Sequence, residues 1–258
     1  MYDKRKCEDI MLARIEMRLK SSEKLAYQMS SLFHGALMEM LPMDYAEYLH
    51  LSQLHPYTQH LECRNGEWYW IVSCLNREAV QKIIKGALWT LESIEIKKQK
   101  IHIDIVDKKY KEMAYRELME QFYDKEYARY ITIHFISPTA FKQNGTYVFY
   151  PNLHCIFQSL MNKYDSANGE EGMFDNETLE QLNENAQIVR YDLKSVSFPL
   201  EGVRIPSFIG KVTIKIDGAH TMVNFAHMLF VVGEYSGVGI KTSLGMGCIK
   251  ILEGRKKE

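Results

Sequence analysis

Apolar and polar positions alternate or recur along this chain in a way that divides it into short strands and helices. Residues Cys7 to Leu19 (CEDIMLARIEMRL) alternate, with Ile10, Leu12, Ile15 and Met17 as apolar positions, and predict a strand. Ser21-Ser22 then reads as a helix cap, and apolar residues recur at helical spacing from Leu25 through Met29, Phe33, Leu37 and Met40 to a stop at Pro42. Asp44 and Glu47 open a short second helix, DYAEYLHL. Strands at Pro56–Cys63 and Trp68–Leu75 flank an Arg64-Asn65-Gly66 turn, a helix follows near Arg77–Gly86, and Ser93–Val106 alternates as one strand. The charged stretch 109–129 reads as a helical connector. The order then repeats. Tyr130–Ser137 is a strand and Pro151–Tyr164 a helix, and 165–185 is a polar loop with a short helix. Gln187–Phe198 and Gly202–Ile216 are strands, Ala219–Val232 a helix, and Cys248–Leu252 a closing strand.

Each half carries the split β-α-β-β-α-β order. The fold expected is α+β: two tandem ferredoxin-like domains, residues 1–125 and 130–258, each an antiparallel sheet with helices on one face. A length of 258 residues, 46% hydrophobic and 25% charged, suits such a pair and excludes disorder, collagen or coiled coil as whole-chain readings. No apolar run reaches the ~18–20 residues of a membrane helix, so no membrane partner is expected. Five scattered cysteines without a CxxC pair suggest neither a disulfide framework nor a zinc site, and point to a reducing cytoplasm.

Net charge is −1, but its distribution is uneven. Residues 165–184 hold seven acidic side chains and no Lys or Arg, whereas 190–257 hold ten Lys or Arg against five Asp or Glu. The average therefore does not argue against a polyanionic partner.

Two features carry chemistry. Gly237, Gly239, Gly245 and Gly247 fall within eleven residues, GVGIKTSLGMG, between a helix and the last strand. Such a loop lets backbone approach a phosphate, or simply forms a turn; it matches neither a Walker A loop nor GxGxxG. Nine histidines are present, four of them between residues 34 and 60, at His34, His50, His55 and His60. No HExxH exists, so no metal is assigned. Lys211 and Lys215 alternate onto one side of a predicted strand, and with Arg204 and Lys241 they are candidates for holding phosphates; a solvated strand face is the alternative.

The glycine loop, together with FISPTAFKQNGTYVFYPNLHCIFQSLMNKY (135–164) and LFHGALMEMLPMDYAEYLHLSQLHPYTQHL (32–61), resembles the CRISPR-associated endoribonucleases that process precursor repeat RNA, part of the repeat-associated RNA-binding superfamily. The three blocks stand in that family's order. The resemblance implies His50, at a Leu-His step after the long helix, as catalytic. It places His55 near where some relatives carry a phosphate-steadying lysine. Near Met38 some relatives carry a tyrosine, and His34, one turn earlier, either takes that role or packs against the sheet. The activity implied is metal-independent cleavage within each repeat by 2′-hydroxyl attack, without a cofactor. CRISPR repeat RNA is the implied partner, with other effector subunits or a second copy of the chain left open. The rival readings are a non-catalytic RNA-binding subunit of an effector complex and a nucleotide-binding protein.

Overall fold

The computed structural model describes residues 10–97, 99–168 and 175–252; Cys7 lies outside them. β1 (Ile10–Ser21) leads through a 3-10 turn (Tyr27–Met29) into α1 (Ser30–Met40) and α2 (Met43–Leu51). β2 (Tyr57–Arg64) and β3 (Glu67–Asn76) form a hairpin, and α3 (Arg77–Ala79) winds on as a π-helix over Val80–Leu88. β4 (Ser93–Ile96) and β5 (Ile101–Ala114) complete an antiparallel sheet of order β2-β3-β1-β5-β4. After α4 (Tyr115–Asp124) come β6 (Tyr130–Thr139), a small hairpin of β7 (Phe141–Gln143) and β8 (Thr146–Val148), α5 (Leu153–Asn168) and α6 (Asn176–Asn185). β9 (Ala186–Leu200), β10 (Val203–Ile216), α7 (His220–Ser236) and β11 (Ile249–Leu252) finish the chain, in a sheet ordered β11-β6-β10-β9. Both sheets follow the ferredoxin-like order of fourth, first, third, second strand, with β4 an added edge in the first.

Four local expectations change, each for a physical reason. The helix does not start at Ser21-Ser22: Ser21 still pairs with Ile103, and its hydroxyl accepts from Glu23 N–H in a local turn rather than capping a helix. Ser93–Val106 is not one strand but a hairpin, broken where Lys100 takes a left-handed φ of 55°. The charged residues 109–114 are strand, not helix, because they pair with Met11–Glu16. β4 covers only the beginning of β5, so this stretch is a sheet edge, where lysines are the usual occupants. The β7–β8 hairpin went unread despite its Asn144-Gly145 turn, with φ 47° and 80°.

Helices cover one face of each sheet. Phe33, Leu37, Ile83 and Ile84 bury Ile15, Trp70 and Val72 in the first half. Ile156, Leu160, Leu229 and Phe230 bury Ile133, Phe135, Val212 and Ile214 in the second.

The halves are joined through β2. Thr58 donates its hydroxyl proton to the Tyr235 carbonyl at 2.7 Å, at the end of α7. Gln59, 1% exposed, donates from Nε2 to the carbonyls of Ser30 and Ser243, each at 2.8 Å, while its Oε1 accepts from Trp70 Nε1 at 3.0 Å. His60 Nε2 lies 3.2 Å from Cys248 Sγ. One buried amide thus touches α1, β3 and the loop after α7 at once.

Replacing Gln59 by Leu keeps the volume but leaves the Trp70 indole N–H without its acceptor in the dry seam and removes one donor from each of the Ser30 and Ser243 carbonyls. At about 1–3 kcal/mol per buried group left unpaired, Gln59→Leu should lower the urea midpoint clearly. An unchanged midpoint in equilibrium unfolding would show that the seam does not depend on this amide.

Candidate functional site

The loop between α7 and β11 is folded by its own hydrogen bonds. Val238 N–H donates to the Gly247 carbonyl (2.8 Å), Ile240 to Ala140 (3.0 Å), Met246 to Lys241 (3.3 Å) and Gly247 to Pro138 (3.0 Å). Gly239 N–H donates to Ser159 Oγ at 2.8 Å. A Cβ on Gly239 would stand 2.3 Å from the Ala140 carbonyl oxygen, and one on Gly245 2.2 Å from Ser30 Cβ. The room these glycines leave is therefore filled by the protein itself, not kept open for a ligand. What the loop offers outward lies between them. The backbone N–H groups of Lys241, Thr242 and Ser243 have no partner among the described residues. Lys241 is left-handed (φ 57°) and precedes a 3-10 turn, Thr242–Leu244, the kind of backbone in which successive N–H groups can converge on an anion.

This surface forms one wall of a cleft of about 440 Å³. The opposite wall carries His34 from α1, His50 from the last turn of α2, and His55 from the α2–β2 connection. No carboxylate lines it. Three histidines spread over 22 residues converge because α1 and α2 turn at Pro42 and the chain re-enters the sheet at Tyr57. His34 is the most constrained. Its Nδ1 is 2.9 Å from the Tyr57 hydroxyl. Burial pushes that phenol well above its ordinary value, so it remains a donor. Burial, with His55 next to it, lowers the His34 imidazole to about 4 although the Ser243 backbone partly opposes this. The rings of His34, His55 and Tyr57 are nearly parallel, with centroids 6.3 Å apart for His34–His55 and 5.6 Å for His55–Tyr57. His55 is also pushed down, by burial first, with the Leu49 and Ser52 backbone opposing and Lys241 adding to the shift, and its Nδ1 is buried without a hydrogen-bond partner among the described residues. His50 is exposed, and its ring makes no hydrogen bond within the described residues.

Lys163 escaped the sequence reading. It sits on α5 in the buried stripe of Ile156, Leu160, Tyr164 and Ala167, and a lysine on an apolar helix face was the signal available. Its ammonium donates to the carbonyls of Ser236 and Gly237 (3.1 Å each) and to Thr242 Oγ1 (3.3 Å), at the back of the cleft. Burial lowers its pKa to about 7.

The other candidates fall elsewhere. Lys241 lines the cleft and Gly239 touches it, whereas Gly237, Gly245 and Gly247 support the loop from behind. Arg204 is exposed at the start of β10, beside the Glu201-Gly202 turn. Lys211 lies about 23 Å further along the same strand and shares a row with His134 and Lys250 across β10, β6 and β11. Lys215 shares that face but is paired with Asp217 at 2.9 Å. His227 bonds the Ala128 carbonyl and His102 pairs with Asp104, both outside the cleft. Among the described residues no group of three or more His, Cys, Asp or Glu could hold a metal ion, and no helix is long and apolar enough to cross a membrane.

Two ferredoxin-like sheets meet at a donor-rich cleft whose lining holds no carboxylate. A family model for the CRISPR-associated endoribonuclease Cas6 matches residues 133–249. The Cas6 endoribonuclease of Streptococcus thermophilus is 36% identical over 245 residues, covering 95% of this chain and 100% of that protein. The Mycobacterium tuberculosis Cas6 endoribonuclease is 32% identical over 222 residues, covering 84% of this chain and 70% of its own. The chain belongs to the Cas6 family of CRISPR-associated endoribonucleases. Among solved structures, a Cas6 product complex matches with a TM-score of 0.77 at 21% identity, covering 94% of this chain and 100% of the other. Thermus thermophilus Cas6 matches at 0.68 and 18%, covering 94% and 99%. These share the fold.

The lowered pKa of His34 has a consequence for stability. In the unfolded chain a histidine takes a proton near pH 6.5; His34 folded does so only near 4. Between those values the unfolded state binds more protons, so stability is lost as pH falls through that window. Wild type should therefore lose more melting temperature between pH 7 and pH 5 than His34→Gln does. Equal losses would mean that His34 is not held neutral.

Proposed function

We propose that this protein cuts CRISPR precursor RNA within each repeat, without a metal ion, in the cleft between the histidines and the Lys241–Ser243 backbone. The observation that carries this reading is the convergence of His34, His50 and His55 on three unpartnered N–H groups and Lys241, with no carboxylate among the lining residues. A phosphodiester lying there meets donors for its non-bridging oxygens, and these strengthen as charge grows on the phosphorus in the transition state. The reaction requires only the substrate's own nucleophile. The ribose 2′-oxygen gives its proton to a base and bonds to phosphorus. The bond from phosphorus to the 5′-oxygen breaks, and that oxygen takes a proton from an acid. The products are a 2′,3′-cyclic phosphate and a 5′-hydroxyl.

His50 fits the proton-transfer role because its ring is exposed to the cleft and uncommitted, and imidazole exchanges protons near neutral pH. Burial keeps His34 a neutral ring held by the Tyr57 hydroxyl at Nδ1, which suits a positioning role beside the phosphate more than a second base. His55 feels the charge of Lys241 and of His50 and so couples the two across the cleft. The domain limits 1–125 and 130–258 and a cytoplasmic setting form part of the same reading; Cys63, Cys74, Cys155 and Cys248 are all free thiols.

Single-turnover cleavage in EDTA tests the mechanism. His50→Ala should slow cutting by roughly 100- to 10,000-fold while binding survives, and a 2′-deoxy nucleotide before the scissile phosphate should block cutting by wild type. Cleavage of the deoxy substrate would remove the mechanism. Wild-type speed in His50→Ala would move the proton transfer to His34 or His55, and tight binding with no cleavage at all would favour the RNA-binding subunit.

Lys211 offers a separate check on how far the RNA extends. If it contacts a phosphate, Lys211→Glu should weaken binding and flatten the log–log salt slope by roughly 0.7 for single-stranded RNA. An unchanged slope would take the open face of the second sheet out of the interface.

A further inference from the structure

Beside the main cleft lies a second cavity of about 190 Å³, between the β7–β8 hairpin, the outer face of α5 and the glycine loop. Leu54, Lys163, Gly239 and Ile240 border both spaces, so the two form one continuous trough. The chemistry changes along it. The histidine end offers imidazoles and backbone N–H groups; the side cavity offers the amides of Gln143, Gln158 and Asn162 beside apolar walls, with Lys142 and Lys163 at its border. Gln158 and Asn162 are four residues apart on α5 and therefore face the same way, and Gln143 on β7 borders the same space. None of these three amides makes a hydrogen bond within the described residues. Ser159, between them, is already committed to Gly239 N–H. Phe141, 4% exposed, and Leu54, 40% exposed, supply the apolar sides. No carboxylate borders the cavity.

We propose that this side cavity seats one unstacked nucleobase next to the scissile phosphate, read by the amides of Gln158 and Asn162. The inference rests on the RNA-cleavage reading above and adds a source of sequence selectivity to it. A carboxamide presents a donor beside an acceptor, which matches the donor–acceptor edge of a base in a two-point contact. Single-stranded RNA is the form whose bases are free to turn into such a pocket. With a phosphate over Lys241–Ser243, the neighbouring nucleotide on the α5 side enters the trough at the shared Gly239–Ile240 border. The apolar walls then bury the faces of the ring while the amides meet its edge.

The test uses the protein's own repeat RNA, made uncleavable by a 2′-deoxy nucleotide at the scission position, with a single abasic site moved through the nucleotides flanking it. One abasic position should weaken wild-type binding by about tenfold or more. The double variant Gln158→Ala with Asn162→Ala should bind the intact RNA about as weakly as wild type binds the abasic RNA. The two losses should not multiply when combined, because both remove the same contact. Melting temperature serves as the folding control, since Asn162 is exposed and Gln158 half-buried. Losses that multiply, or no abasic effect at any flanking position, would overturn the subsite. Since binding is read without cleavage, coupling in a protein that never cuts would keep the subsite and remove the nuclease reading. Cutting without coupling would do the reverse.

Discussion

A single buried carboxamide ties the two walls of the cleft directly to each other. Gln59 reaches Ser30 at the start of α1 and Ser243 in the glycine loop with one nitrogen, and its oxygen is fixed by the Trp70 indole. His34 stands one helical turn beyond Ser30, and Ser243 ends the row of unpartnered N–H groups. The spacing between imidazole and anion-binding backbone is thus set by hydrogen bonds to one side chain. An amide of this kind costs little when fully paired and a great deal when any partner is lost, so it specifies geometry more than it adds stability. Ser30 reinforces it: its hydroxyl donates to the Tyr27 carbonyl at 2.6 Å and accepts from Leu61 N–H at 3.0 Å, and only glycine at 245 fits against its Cβ.

The electrostatics follow from this closeness. The described residues place cations and neutral imidazoles around the cleft with no carboxylate on its walls, so a phosphate enters without meeting like charge. Burial keeps His34 and His55 neutral and leaves His50 as the ring open to solvent. Lys163 adds a further element from behind. It donates to both carbonyls at the hinge where α7 becomes loop, and burial lowers its pKa to about 7. What distinguishes the three histidines is therefore their environment rather than their residue type.

The relatives that show Cas6 family membership align with most of the chain, both halves included. The family model covers residues 133–249, whereas His34, His50 and His55 lie in the first half. The two meet in the glycine loop, which belongs to the second domain in sequence and to the histidine wall in space. A protein of this kind cannot keep its site if the halves separate, since neither half carries both the imidazoles and the anion-binding backbone.

Periodicity along the chain was enough to show the repeated β-α-β-β-α-β core of both halves, because strand and helix periods survive in any sequence that buries one face, but it did not show the β4–β5 and β7–β8 hairpins. The glycine loop and the cluster of histidines were visible for the same reason: rare residues at close spacing stand out. Local signals misled where a partner decided the outcome. Lys109–Ala114 is a strand only because β1 lies beside it, and Ser21 ends a strand because Ile103 pairs with it. The sequence could not tell which histidines meet, since His60 is as near to His55 in the chain as His50 is, yet it turns into the seam against Cys248. Nor could it show that the glycines accommodate the protein's own carbonyls and Ser30, or that Lys163 lies at the back of the cleft. Those facts depend on contacts between residues up to about two hundred positions apart, which folding alone brings within hydrogen-bonding range.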